Sequence, residues 1–113
     1  MIYEIRDYYI DSSALVIYEQ WARERAVPYI RKHLDLVGFW VTTDAPAQVT
    51  GSPLDELGPA SVTWILRWPD TETRNRMMGV HFGPDAQDWA EIVKHHPGRQ
   101  HYRRIQSRFA QAL

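Results

Sequence analysis

The chain has no cysteine, which excludes a disulfide scaffold, a zinc–thiolate site and thiol catalysis. It has no charge excess either: 13 Lys and Arg stand against 14 Asp and Glu, for a formal net charge of -1. An electrostatic nucleic-acid binder would show a strong basic surplus, so nucleic acid is not an expected partner. No apolar run approaches the roughly 20 residues that a membrane span needs. The opening residues carry Glu4, Arg6 and Asp7 in place of an apolar signal core, so no signal peptide is expected. The expectation is a soluble cytoplasmic protein with no membrane partner. Gly-rich phosphate loops, GxSxG elbows and HExxH helices are all missing.

What is abundant is aromatic: five Trp and six Tyr in 113 residues, enough for a core, an interface or a ligand pocket. The length is that of one ordinary domain, residues 1–113. Its first stretch, Ile2 to Ile10, alternates with period 2 and contains no Gly or Pro, which predicts a strand. Tyr3, Ile5, Asp7 and Tyr9 fall on one face; Ile2, Glu4, Arg6 and Tyr8 fall on the other. Asp11-Ser12-Ser13 offers capping oxygens for a helix to about His33, along which Leu15, Tyr18, Ala22, Ala26, Tyr29, Ile30 and His33 form a stripe. Pro28 lies inside it, removes a bond to the Glu24 carbonyl and predicts a kink.

Leu36–Thr43 and Ser61–Trp68 read as further strands, separated by a long Pro- and Gly-containing loop, 44–60. On the third strand Val62, Trp64, Leu66 and Trp68 make one face wholly apolar. Asp70 or Thr71 caps a second helix to about His81, and Asp85 a short third helix on which Trp89, Ile92, Val93 and His96 share a face. From Tyr102 onward both periodicities fit, helix through Tyr102, Ile105, Phe109 and Ala112, strand through Ile105, Ser107 and Phe109. The order is that of a ferredoxin-like βαββαβ domain, an α+β fold with an antiparallel sheet and helices on one face.

Several of these segments resemble the NIPSNAP-type domain family. Ile2-Tyr-Glu-Ile-Arg-Asp-Tyr8 looks like its opening strand, and Pro28-Tyr-Ile-Arg-Lys-His33 with Leu36-Val-Gly-Phe-Trp40 resembles its helix end and second strand. Arg74, Asp88-Trp89 and Ile105-Gln-Ser-Arg-Phe109 are similar to later family positions. The resemblance implies a homodimeric α+β barrel, whose relatives include cofactor-independent monooxygenases and small isomerases. Asp11-Ser12-Ser13 departs from the family's usual Pro-Gly, and the 44–60 loop is longer than typical. Trp64 stands where the family commonly has a His, so no His-based activity carries over at that position.

Two function classes follow: a dimer binding a small apolar or aromatic molecule, enzyme or not, or a non-catalytic dimeric interaction domain. For the first, the expected site lies between sheet and helices on the face of Tyr3, Asp7, Tyr9 and Trp64. Asp7 and His81 would form an acid–base pair, with Tyr3, Tyr9, Trp40 and Trp64 holding the ligand. The plainer alternatives are that the aromatics are core and that Asp7 caps a turn or meets a surface Arg. The Glu4-Arg6-Tyr8 face, joined by Arg67, is expected to line the dimer barrel as an ion-pair network. The 44–60 loop is expected to pack over the neighbouring subunit or the cleft mouth. His95, His96 and His101 read as solvated residues, so no metal is expected, and nothing calls for a cofactor.

Overall fold

A computed structural model describes residues 1–113. Its four strands are β1 (Ile2–Ile10), β2 (Leu36–Val41), β3 (Val62–Trp68) and β4 (Tyr102–Ala110). They form one antiparallel sheet in the order β2-β3-β1-β4, the ferredoxin-like arrangement. The ambiguous C-terminal stretch is therefore a strand. It pairs with β1 from Tyr3 opposite Ala110 to Ile10 opposite Tyr102. Helices α1 (Ser12–Trp21), α2 (Val27–His33), α3 (Thr71–Phe82) and α4 (Gln87–Val93) supply the second layer. No helix is long and apolar enough to cross a membrane.

Between α1 and α2 the backbone passes through a π-helical turn, Ala22–Ala26, closed by the Val27 N–H on the Ala22 carbonyl. A π turn shifts the hydrogen-bond ladder by one residue, which absorbs the missing N–H of Pro28. The expected disturbance at Pro28 thus takes the form of a wider turn. Asp70 caps α3, its carboxylate accepting from the Thr73 N–H at 2.7 Å. Trp21 donates its indole N–H to the Ile92 carbonyl at 2.9 Å and ties α1 to α4. The Tyr29 hydroxyl donates to the His81 carbonyl at 2.8 Å and ties α2 to α3.

The sheet register corrects the assignment of faces. Ile2 lies opposite Trp68, Glu4 opposite Leu66, Arg6 opposite Trp64 and Tyr8 opposite Val62. Directly opposed residues share a face. The apolar side of β3 therefore meets the helices together with Glu4, Arg6 and Tyr8, and not with Tyr3, Asp7 and Tyr9. Leu66, Val62, Ile10, Tyr18 and Ile30 are sealed in the core between the layers. Arg67 projects from the opposite face to Glu4 and Arg6 and pairs with Asp35 at 2.7 Å. Glu4 and Arg6 do form an ion-pair network, but beneath the helices.

The other face of the sheet, bearing Tyr3, Ile5, Asp7, Tyr9, Trp40, Thr63 and Ile65, has no helix over it. The 44–60 loop reaches this side, where Arg104 holds it through Asp55 at 2.6 Å and the Gly58 carbonyl at 2.7 Å. It lines a depression with Asp7, Thr63 and Gln106, away from the mouth of the cleft described next. Its apolar side chains Val49 and Leu54 are exposed and do not anchor it over the cleft.

Candidate functional site

Between sheet and helices lies a cleft of about 280 Å³, lined by 16 residues of which 13 are hydrophobic. That is close to the smaller volumes known for small-molecule sites. The sheet supplies Arg6, Tyr8, Phe39 and Trp64, while the helices contribute Tyr18, Trp21, Ile30, Met78, Phe82 and Trp89. Phe39 stacks on Trp64 at 5.6 Å between centroids, because the two residues are direct partners of β2 and β3. On the helix side Trp89 meets Phe82 edge-on at 4.7 Å and Trp21 at 6.1 Å.

The floor of the cleft rests on a buried charge. Glu4 is 0% exposed and accepts four hydrogen bonds: Arg74 Nε at 3.0 Å, Arg74 Nη2 at 2.7 Å, Arg6 Nη1 at 2.7 Å and Trp68 Nε1 at 3.1 Å. Burial pushes the Glu4 carboxyl up, and the bonds and charges of Arg74 and Arg6 outweigh it, holding it below its ordinary range. Arg6 also donates Nε to the Tyr8 hydroxyl at 2.9 Å and lies 5.1 Å from the Trp64 ring centre. Burial opposes its charge, but Tyr8 and Glu4 more than compensate, so Arg6 stays cationic.

A second polar group closes the far end. His96 Nδ1 accepts the Gly98 N–H at 3.0 Å, so in the neutral ring Nε2 carries the proton and donates to the Tyr102 hydroxyl 2.8 Å away. Burial, followed by the charges of Arg99 and His101, lowers the His96 pKa and keeps the ring neutral. Burial raises the phenols of Tyr102 and Tyr18 far above their ordinary value, so both hydroxyls keep their protons. At neutral pH the pair carries no charge.

Of the residues expected to form the site, only Trp64 lines this cleft. Asp7 is on the opposite side of the sheet, accepting from the Thr63 hydroxyl at 2.6 Å. Tyr3 and Tyr9 share that side, and Tyr9 lies 5.9 Å from the Arg104 guanidinium. Trp40, half exposed, is there too, laid across Gly38 so that any side chain at 38 would collide with its indole. His81 is in the helix layer, its ring tilted against that of His33 at 4.7 Å, and its pKa is lowered by burial and then by the His33 charge. The sheet separates Asp7 from His81, so they form no acid–base pair. Sequence reasoning missed Arg6, His96 and Tyr102. The signal for His96 was present in its shared face with Trp89, Ile92 and Val93; for Arg6 it needed the register.

No protein-family model and no curated protein matches this chain. Solved structures do. A NIPSNAP family protein from Agrobacterium tumefaciens superposes with a TM-score of 0.74 at 19% identity, covering 99% of this chain and 92% of its own. An uncharacterized NIPSNAP domain protein from Burkholderia xenovorans gives 0.68 at 19% identity over 100% and 95%. An antibiotic biosynthesis monooxygenase gives 0.57 at 17% identity over 100% and 99%. At these identities the likeness is one of fold.

Proposed function

We propose that this NIPSNAP-type domain is a homodimer in which each protomer binds a small apolar or aromatic molecule in the cleft between sheet and helices. The observation that carries the reading is the cleft itself. Thirteen of its 16 lining residues are hydrophobic, and its few polar groups, Arg6, His96 and Arg99, converge on one space. Dimerism is supported by the uncovered sheet face, where Ile5, Ile65 and the half-exposed Trp40 have no second layer. A two-fold axis would bring two such faces together and cover both. One structure of this fold is an antibiotic biosynthesis monooxygenase, so oxygenation of the bound molecule is the reaction class to assay once a ligand is known.

The experiment is a thermal-shift screen of small aromatic and apolar metabolites against the wild-type protein and Val93→Trp. Val93 is 44% exposed and lines the cleft, so a Trp there obstructs the opening without entering the core. The expected result is one or more stabilising compounds whose effect disappears in a folded Val93→Trp protein. A stabilising compound equally effective on the variant, or none across the library, would overturn the cleft reading.

A further inference from the structure

We infer that the cleft selects aromatic molecules carrying an anionic group, a carboxylate or phenolate, and that Arg6 is the residue that holds it. The inference rests on the reading of the cleft as a binding site and adds the charge of its ligand. The lining contains two guanidinium groups, Arg6 and Arg99, and no carboxylate. Glu4 offsets only part of this charge. It pairs with Arg6 Nη1 at 2.7 Å, but Arg74 also holds it through Nε and Nη2, and Trp68 adds a further donor. One carboxylate thus faces two arginines, and the cluster as a whole keeps a surplus positive charge.

The donors of Arg6 are also not used up. Nε serves Tyr8 and Nη1 serves Glu4, whereas Nη2 donates to nothing in the chain. A half-buried guanidinium presents a planar fork to an anion, and a charge-assisted bond to it is among the stronger hydrogen bonds. Trp64, 5% exposed, lines the cleft, and its indole N–H, itself sealed from solvent, has no acceptor in the chain. A buried donor without a partner is uncommon and calls for an explanation. The Phe39–Trp64 stack gives an aromatic ring a flat apolar wall beside these donors.

The test is calorimetric titration of naphthoate and its uncharged isostere naphthamide into wild-type protein and Arg6→Gln. Wild type should bind the acid about tenfold tighter than the amide. In Arg6→Gln, where Arg74 and Trp68 still satisfy Glu4, that preference should fall to within about twofold, through loss of acid binding alone. Equal wild-type affinities would overturn the anion inference and leave the cleft reading standing. Binding of neither compound would overturn both. Should Arg6→Gln fail to fold, the wild-type ratio still decides, together with its salt dependence. Added salt should weaken the acid and leave the amide unchanged, and a flat response for both would count against the inference.

Discussion

Arg74→Met tests whether the buried carboxylate under the cleft is held as the structure shows. The substitution keeps an unbranched chain of similar length but removes two of the four hydrogen bonds to Glu4, the 3.0 Å and 2.7 Å contacts from Nε and Nη2. Glu4 itself is 0% exposed, so water cannot replace them, whereas the Arg74 side chain is 22% exposed. Unpairing a fully buried charge costs about 3–5 kcal/mol; with Arg6 and Trp68 still in place the loss should sit at the low end, about 3 kcal/mol at neutral pH. In a Glu4→Gln background the same change should cost about 1 kcal/mol, giving a coupling of about 2 kcal/mol by double-mutant cycle. The pH dependence has a definite sign. The folded pKa of Glu4 lies below its unfolded value of 4.5, so the unfolded chain binds more protons in that window. The stabilisation is present above pH 4.5 and is lost as pH falls through the folded pKa. Urea unfolding should therefore show the gap between wild type and Arg74→Met narrowing in acid. A cost below about 1 kcal/mol, typical of an exposed pair, or a coupling indistinguishable from zero would show that Arg74 does not hold a buried Glu4 charge.

Trp40→Asp places a charge on the uncovered sheet face and should convert a dimer to a monomer by sedimentation velocity; a wild-type protein already monomeric at micromolar concentration would end the dimer proposal. His96→Gln should flatten the stability profile just below pH 6.5, because a buried neutral His with a lowered pKa stabilises the fold above its unfolded pKa and loses that contribution as pH falls. An unchanged slope there, measured by thermal unfolding across pH, would contradict the neutral assignment. Arg104→Ala removes both tethers of the 44–60 loop and should raise amide exchange around Leu57, whose N–H donates to the Asp55 carboxylate, while leaving β3 protected. Unaltered exchange in the loop would show that its order does not depend on Arg104.

The element order, the ferredoxin-like class and both halves of the long first helix are legible in periodicity; of the expected caps Asp70 makes its bond, whereas neither Asp11 nor Asp85 caps a helix with its side chain. The location of the site is not, and the reason is register. Alternation in β1 separates Glu4, Arg6 and Tyr8 from Tyr3, Asp7 and Tyr9 but does not say which set meets the helices. The apolar face of β3 marks the buried side, and only the pairing of Arg6 with Trp64 joins the two strands' faces. Charges in β1 point toward solvent by composition; the fold keeps them inside because Arg74, remote in sequence, supplies the counter-charge. β4 escapes assignment for a different reason. Ile105 and Phe109 are four apart, a spacing that suits one helical face and one strand face equally, and only pairing with β1 resolves it.

The five tryptophans allow the central claim to be tested in one spectrum. Trp21, Trp64 and Trp89 line the cleft, Trp68 lies behind it on Glu4, and Trp40 is on the opposite face of the sheet. In a ¹H–¹⁵N titration with naphthoate, with each indole N–H assigned by Trp→Phe substitution, the Trp64, Trp21 and Trp89 signals should shift saturably. Trp64, whose ring stacks on Phe39 in the cleft wall, should shift with them, and Trp40 should stay still. Shifts confined to Trp40, or no saturable change at Trp64, would contradict a binding site between the sheet and the helices.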